Sequence, residues 1–357
     1  MKNLSNSPVQ VVGLDLGDRY GYAVVLEPDI GEVVESFRVR MTRRALTQAF
    51  GPCPTSLVAL EVGTHSRWVT PLLEEFGHRV VVANARKVHL IAKNRRKDDR
   101  IDAELLARLA RADPELLSPL THRREATHQD LAVIRARDVL VRSRTRLINH
   151  CRSQVKTSGQ RLPACDARAF ARKVPAHVPK ALRPALEPLI EQITALTAHI
   201  TTLDEQIHHL AQTRYPETEL LTQIPGVGTL TALTYLLILE DPHRFRDGRQ
   251  VAAYLGLVPG RRDSGQVKRT GRITKEGDKM LRRLLVQSAH YILGPFGSDC
   301  ELRQHGLRIA ERGGRYAKSK ARIAVARKLA GLLYQLWTHA EVYDPWHRTP
   351  KDRQVAA

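Results

Sequence analysis

The first third of the chain alternates between short apolar runs and amphipathic stretches. Three strand-like runs come first, and they read VQVVGLDLG, YGYAVVLEP and GEVVESFRVR. A helix pattern (TRRALTQAF), a strand (TSLVALEVG), a helix (RWVTPLLEEFG), a strand (HRVVVAN) and another helix (DRIDAELLARLARA) follow in that order. Three strands followed by alternating helices and strands are typical of an RNase H-like α/β sheet. We therefore predict a domain of this class over residues 8–130.

The next pattern is helical and strongly basic. The stretch LAVIRARDVLVRSRTRLINHCRSQVK places four apolar residues on one face, namely Leu131, Ile134, Val141 and Ile148. Its five arginines fall elsewhere around the helix: Arg135, Arg137, Arg142, Arg144 and Arg146. They form either a solvated face or a set of phosphate contacts, and Arg135, Arg142 and Arg146 are the predicted nucleic-acid contacts. The proline-rich segment RLPACDARAFARKVPAHVPKALRP then predicts a linker.

A heptad seam follows the linker. Leucine or isoleucine recurs at alternating steps of three and four, at Leu186, Leu189, Ile193, Leu196, Ile200, Leu203, Ile207 and Leu210. This pattern is typical of a coiled coil, whose apolar seam has to be buried against a partner helix. The partner is either another helix of the same chain or a second copy. We favour self-association into a dimer or tetramer, and we assign residues 131–214 to the basic helix, linker and coiled coil.

The last part of the chain predicts a mainly helical domain over residues 215–342. The motif IPGVG lies between two apolar helices, which is the form of a helix-hairpin-helix. Gly226 and Gly228 would let the backbone turn tightly and present N–H groups to a phosphate. A plain helical hairpin is the alternative. The domain closes on the helix KSKARIAVARKLAGLLYQLWTHA, and the tail 343–357 is predicted to be disordered.

Charge indicates the kind of partner. The chain has 57 Lys and Arg against 37 Asp and Glu, a net charge of +20, which calls for a polyanion such as nucleic acid. Hydrophobic residues make up 42% of the chain, enough for folded cores. The N-terminus lacks the apolar region of a signal peptide, and the run LTALTYLLILE is too short to span a bilayer. The sequence thus predicts a soluble cytoplasmic protein without a membrane partner.

Four acidic residues lie at the ends of predicted elements. Asp15 ends the first strand, Glu61 ends the fourth strand, and Asp99 and Asp102 open a helix three residues apart. Singly, each is explained as a helix cap or a strand end. Together, the neighbouring ends of the first and fourth strands and the start of the next helix would collect oxygen ligands for one or two Mg²⁺ ions. Asp98 is the alternative to Asp99.

A serine lies in a basic loop near residue 260, in the stretch VPGRRDSGQVKRTGRITKEGDK. Taken alone, Ser264 is best interpreted as an ordinary turn residue. The surrounding cations Arg262, Lys268, Arg269 and Lys275 are predicted phosphate contacts.

These motifs, in this order, resemble a known family. GLDLG, ALEVGTHSRW, RRKDDRIDAELLA, IPGVG, YLGLVPG and SGQVKRTGRITKEGDKMLRRLL are similar to motifs of the DEDD transposases of the insertion-sequence one-ten group, to which the pilin-gene inverting recombinase is related. The likeness runs from about residue 9 to about residue 340. The acids alone would also suit RuvC-type junction resolvases, whereas the serine loop makes the match specific.

The resemblance implies a site and a mechanism. Asp15, Glu61, Asp99 and Asp102 would be the acidic tetrad of a RuvC-like domain that binds Mg²⁺, and Ser264 would be the nucleophile. The protein would cut and rejoin donor and target DNA through a covalent phosphoserine, and some members of the family are guided by a structured RNA from the element. One departure is the loop DSGQ, where family members often have two serines followed by two glycines.

Two other functions fit the residues. A metal-dependent junction resolvase or nuclease would use water as the nucleophile, with Ser264 only structural. A non-enzymatic nucleic-acid-binding protein would keep the acids as solvated caps. The transposase is preferred to both.

Overall fold

The computed structural model describes residues 10–84, 98–264 and 267–346, and for residues 261–264 and 267–270 it describes the backbone alone. The described residues form two compact units, which divide between His122 and Arg123. The domain boundary predicted after residue 130 lies within a helix that begins at Glu125, so it has to move towards the N-terminus. The polar start of that helix, EATHQD, carries little apolar periodicity, which explains the difference.

The N-terminal unit is built on a mixed β-sheet. Its elements are β1 (Gln10–Leu16), β2 (Tyr20–Leu26), β3 (Val33–Arg40), α1 (Arg43–Phe50), β4 (Ser56–Glu61), α2 (Ser66–Glu75), β5 (Arg79–Ala83) and α3 (Asp99–Ala112). The strand order is β3-β2-β1-β4-β5, in which β1 pairs antiparallel with β2 and parallel with β4. The predicted adjacency of the first and fourth strands is confirmed.

Helices cover both faces of this sheet. Successive side chains of a strand point to opposite faces. Leu14 and Leu60 pack with α1 and α2 on one face, whereas Val11 and Ala59 pack with α3 on the other. Each of these strands is therefore buried on both sides, which explains why β1 and β4 are apolar almost throughout.

The C-terminal unit is mainly helical. Its elements are α4 (Glu125–Thr157), α5 (Phe170–Lys173), α6 (Arg183–Arg214), α7 (Thr218–Thr222), α8 (Thr229–Leu239), α9 (Gly248–Tyr254), β6 (Pro259–Ser264), β7 (Val267–Ile273), α10 (Lys279–Leu293), α11 (Glu301–Glu311) and α12 (Ala317–His339). Helix α8 is buried from Thr231 to Leu239 and forms the centre of the core. No helix of the described residues is both long and apolar enough to cross a membrane.

The long helices α4 and α6 form an antiparallel hairpin within the chain. Three contacts define the register: Arg214 to Asp130, Arg137 to Asp204, and Arg144 to Thr197. One side of the predicted seam, Leu186, Ile193, Ile200 and Ile207, is buried. Helix α4 therefore supplies the partner that the seam needs, and the seam no longer argues for self-association. Assembly into a dimer or tetramer stays a prediction, and the heptad seam no longer supports it.

Two further expectations need correction. Arg144 was predicted to lie on the outer surface of its helix, but it is only 7% exposed, because it lies between α4 and α6. The tail was predicted to be disordered from residue 343. Instead, the Tyr343 N–H donates to Gln223 Oε1 (2.8 Å) and the Pro345 carbonyl accepts from the Glu301 N–H (2.9 Å). Residues 347–357 lie outside the described part of the chain.

Candidate functional site

Two of the predicted acids lie on the same face of the sheet. Leu14 and Leu60 are direct neighbours in the parallel β1–β4 ladder, and both point towards α1 and α2. The next residue on each strand is Asp15 on β1 and Glu61 on β4. Alternation turns these two side chains to the opposite face, which α3 covers. The end of each strand thus directs one carboxylate towards α3.

A glycine on β1 allows α3 to pack closely against the strand. Gly13 lies two residues before Asp15 on the same face, and a Cβ there would come within 1.8 Å of the Ala103 carbonyl oxygen and 2.7 Å of the Ala107 nitrogen. Small residues on α3 complete this contact, since Ala103 and Ala107 are fully buried. The close packing places the first turn of α3, with Asp99 and Asp102, beside the end of β1.

Asp98 and Asp99 have different roles at the start of α3. The Asp98 carboxylate caps the helix by accepting from the Arg100 N–H (3.0 Å). Asp99 is the first residue of the helix, and Asp102 lies one turn later. Asp98 is thus engaged as a cap, and Asp99 as the third member of the acidic set stays a prediction.

Three of the other acids act electrostatically on Asp15. The pKa of Asp15 is raised from 3.8 to about 6, first by burial and then by the negative charges of Asp99, Asp102 and Glu61. A carboxyl whose charge is opposed by three others has a high affinity for any bound cation or proton that relieves the repulsion.

The fit of this set to a metal ion is partial. Carboxylate oxygens are the ligands that Mg²⁺ prefers, and the repulsion at Asp15 is the kind that a divalent cation relieves. Yet the described side chains include no group of three or more His, Cys, Asp or Glu positioned to hold a metal. The donor chemistry fits, whereas the side-chain positions are not those of a complete coordination sphere.

His65 lies near the acids, and no sequence pattern predicted a role for it. His65 follows β4, and its Nε2 donates to the Asp18 carbonyl (3.1 Å) in the turn after β1. Its Nδ1 accepts from the Trp68 indole (2.9 Å), so the two bonds specify a neutral ring with the proton on Nε2. His65 thereby ties together the two loops that follow Asp15 and Glu61. It lies in the motif ALEVGTHSRW, but the motif does not reveal which partner the imidazole would take.

Ser264 is the last residue of β6, in a hairpin that the sequence analysis treated as a loop. It pairs with Val267 of β7, and two residues outside the described part join the strands. The base of the hairpin is fixed by backbone bonds: Thr274 N–H donates to the Val258 carbonyl (2.9 Å) and Lys275 N–H to the Gly256 carbonyl (3.1 Å). The backbone therefore places Ser264 at the tip of a β-hairpin whose base is fixed by hydrogen bonds.

The predicted phosphate contacts fall into three groups. The side chains of Arg262, Lys268 and Arg269 lie outside the described part, so their role stays a prediction. Lys275 is exposed and has a left-handed φ of 59° at the base of the hairpin. On α4, Arg146 is exposed, and the remaining two arginines have acidic partners: Arg135 lies 3.8 Å from Asp278, and Arg142 pairs with Asp138.

Gly226 and Gly228 occupy different environments in the turn between α7 and α8. Gly226 has φ +91°, and a Cβ there would come within 2.7 Å of Tyr291 Cδ1, so its conformation serves packing against α10. Gly228 is exposed, precedes the first residue of α8, and has open space where a Cβ would lie. The turn is thus a helical hairpin, and phosphate binding by its N–H groups stays a prediction.

Comparison with known proteins matches both units. A DEDD transposase model, described simply as a transposase, matches residues 12–158, and the model described as "Transposase IS116/IS110/IS902 family" matches residues 218–295. The chain is 30% identical to the transposase for insertion sequence element IS1328 of Yersinia enterocolitica, over 94% of this chain and 98% of that protein.

Two further relatives are more distant or shorter in overlap. The transposase for insertion sequence element IS1111A of Coxiella burnetii is 30% identical over 69% of this chain and 68% of its own length. The pilin gene-inverting protein of Moraxella lacunata is 26% identical over 75% of both chains. The acids lie within the first family match, and Ser264 lies within the second.

Proposed function

Because this chain belongs to the IS116/IS110/IS902 family of transposases, we propose that it cuts and rejoins DNA through a covalent phosphoserine at Ser264. An RNase H-like N-terminal unit would supply the carboxylates Asp15, Glu61, Asp99 and Asp102. The observation that carries the proposal is the raised pKa of Asp15, which is caused in part by the other three acids. A partly buried carboxylate that three other acids at element ends repel suits a phosphoryl-transfer site better than a solvated surface.

The first chemical step is a transesterification. The Ser264 hydroxyl oxygen bonds to the phosphorus of a DNA phosphodiester, and the bond from phosphorus to one deoxyribose oxygen breaks. The hydroxyl proton passes to the departing oxygen, directly or through water, so the strand ends as a free hydroxyl. One phosphate ester replaces another, and the energy of the bond is retained.

The second step reverses the first with a different strand. The hydroxyl of the new strand attacks the phosphoserine, its proton returns to Ser264, and the joined DNA leaves. No nucleoside triphosphate is consumed. The cations of the hairpin, Arg262, Lys268 and Arg269, would stabilise the charge on the pentacoordinate phosphorus.

A divalent cation is part of the proposal. Asp15 and Glu61, with Asp99 and Asp102 from α3, would hold one or two Mg²⁺ ions, and a bound ion would act as a Lewis acid on a phosphate oxygen. Within the chain itself, the packing of Gly13 against α3 holds the acids near one another, and His65 connects the loops beside them.

Two partners complete the proposal. A structured RNA from the element would direct the protein to donor and target DNA, and a dimer or tetramer would bring Ser264 of one copy to the acids of another. The RNA guide comes from the resemblance of the motifs to the family, whereas the oligomer is the expectation that the heptad seam raised. The net charge of +20 supports binding of several polyanionic strands at once.

The experiment is trapping of a protein–DNA adduct. Purified protein, element RNA, Mg²⁺ and end-labelled donor DNA are mixed, quenched in detergent and separated on a denaturing gel. The wild-type protein should give a labelled band of protein size that Ser264→Ala abolishes, while Ser298→Ala, a change at an exposed serine, should keep it. Full recombinant product from Ser264→Ala would refute the serine step.

The same experiment distinguishes a nuclease. Cleaved DNA without attached protein, still formed by Ser264→Ala and lost in Asp15→Asn, would identify water as the nucleophile and the acids as the whole catalytic centre. Omission of the RNA tests the guide: product that is independent of RNA would remove it from the mechanism.

A further inference from the structure

A large open cavity lies in the C-terminal unit, and its described lining includes neither the acidic set of the N-terminal unit nor the β6–β7 hairpin. Its volume is about 1020 Å³, and it is bordered by α9, α11, α12 and residues 343–345. Its lining lies beyond residue 295 for the most part, outside both family matches. The segment 343–345 forms one wall and is held by the hydrogen bonds of Tyr343 and Pro345. The cavity is therefore a structured part of the fold.

The cavity combines an apolar floor with polar and cationic edges. Leu302, Leu332 and Ala324 belong to the floor, and the side chains of Gln335 and Tyr343 add hydrogen-bonding groups. Its volume is large enough for a nucleotide.

The acids of the cavity already have partners. Asp247 caps α9 through the Arg249 and Gln250 N–H groups, Glu301 pairs with Lys328, and Asp344 accepts from the Trp346 N–H.

Two cations of the lining have no such partner. Arg249 and Arg327 make no ion pair with any described residue, and both are exposed. A positive field extends over the cavity: the pKa of His305 is lowered by burial and then by the charges of Lys328, Arg308 and Arg327. Two guanidinium groups without an ion pair to any described residue, beside apolar side chains, match the chemistry of a phosphate joined to a base.

We propose that this cavity binds a nucleoside phosphate, with the base over the apolar floor and the phosphate at Arg249 and Arg327. In a protein that handles nucleic acid, the ligand is a single unstacked nucleotide of a DNA or RNA strand. Moving a base into a protein pocket costs little free energy when the strand is already unpaired. The proposal rests on the family membership of the chain and not on the serine mechanism.

The first test measures affinity. Fluorescence anisotropy at fixed salt compares a nine-nucleotide single strand, as DNA and as RNA, with strands of the same length that lack bases. Arg327→Gln should weaken binding of the normal strand about tenfold and lower the salt slope by about one. Ala324→Phe fills the floor without changing charge, and it should weaken only the strands that carry bases. Arg312→Gln removes an equally exposed cation outside the cavity and should change affinity by less than about twofold.

The second test locates the contact and the source of the ligand. A strand with one 5-iodouridine is photocrosslinked and the adduct is mapped by mass spectrometry. Adducts on Tyr343 or His305 that disappear in Ala324→Phe support the proposal. Competition by AMP at concentrations near the strand's Kd would identify a free nucleotide as the ligand, and its failure would identify a strand. Adducts confined to other regions, with unchanged affinity in Arg327→Gln and Ala324→Phe, would overturn it.

Discussion

Removal of the Asp15 charge should make the N-terminal unit more stable at neutral pH. The pKa of this carboxyl is raised from 3.8 to about 6, so ionisation is harder in the folded chain than in the unfolded chain. The Asp15 contribution to stability is complete below about pH 4 and is lost as the pH rises through about 6. Above that range the charged carboxylate opposes folding, and Asp15→Asn removes the opposition.

The magnitude follows from the shift. One unit of pKa corresponds to about 1.4 kcal/mol, so the full shift would be worth about 3 kcal/mol. Because Asp15 is only half-buried and water screens part of the repulsion, we expect about 1.5 kcal/mol. Asp15→Asn should therefore match wild type near pH 4 and exceed it by about 1.5 kcal/mol at pH 7.5.

Hydrogen exchange is the suitable assay, because the two units are separate and a single transition need not describe both. Exchange of peptides from β1 and β4 is measured at both pH values and corrected for intrinsic rates. Asp18→Asn, a change at an exposed acid in the next turn, is the matched control and should change neither value. If Asp15→Asn is less stable than wild type at pH 7.5, the reasoning about repulsion is wrong. Added Mg²⁺ should stabilise wild type more than Asp15→Asn.

Three other predictions follow from packing. Gly13→Ala should lower the free energy of unfolding in urea by about 2–3 kcal/mol, because the added Cβ forces α3 away from β1. It should also reduce DNA strand transfer. Unchanged stability would contradict the close contact between Gly13 and α3. Gly226→Ala should lower stability by about 1–3 kcal/mol, whereas Gly228→Ala should stay within about 0.5 kcal/mol, both by thermal unfolding; equal effects would refute the assignment. Arg144→Met should be neutral or stabilising in urea, because the buried Nε finds no hydrogen-bond partner among the described residues and the guanidinium bonds only Thr197 there. A loss above about 2 kcal/mol would mean that this guanidinium is needed.

The sequence was most informative where a pattern depends on local rules. Alternation and apolar runs predicted β1 to β5 in order, and the adjacency of β1 and β4 then brought Asp15 and Glu61 to one edge. Spacing alone did not separate the neighbouring acids Asp98 and Asp99, and the cap hydrogen bond of Asp98 to the Arg100 N–H is visible only in the structure.

Long-range partners were not predictable in this way. The heptad seam of α6 specifies that a partner helix exists, but not that α4 of the same chain supplies it. Arg144 is buried because it meets Thr197 across that hairpin, a pairing that no spacing along α4 reveals. The hairpin of β6 and β7 was missed because its strands are rich in charged residues and lack an apolar alternation.

The ion pairs of Asp138 have a consequence for how nucleic acid would be held. This buried carboxylate accepts from Arg142 on its own helix and from Arg283 on α10, the helix that follows the serine hairpin. Burial raises its pKa, but the two guanidinium groups more than offset this and hold it below 3.8. A phosphate bound by Arg142 has to compete with Asp138 for the same donors. If Arg142 left Asp138 for a phosphate, Arg283 would be the only one of the two arginines still bound to this carboxylate. Phosphate binding at α4 would therefore change the contact that Asp138 makes with α10.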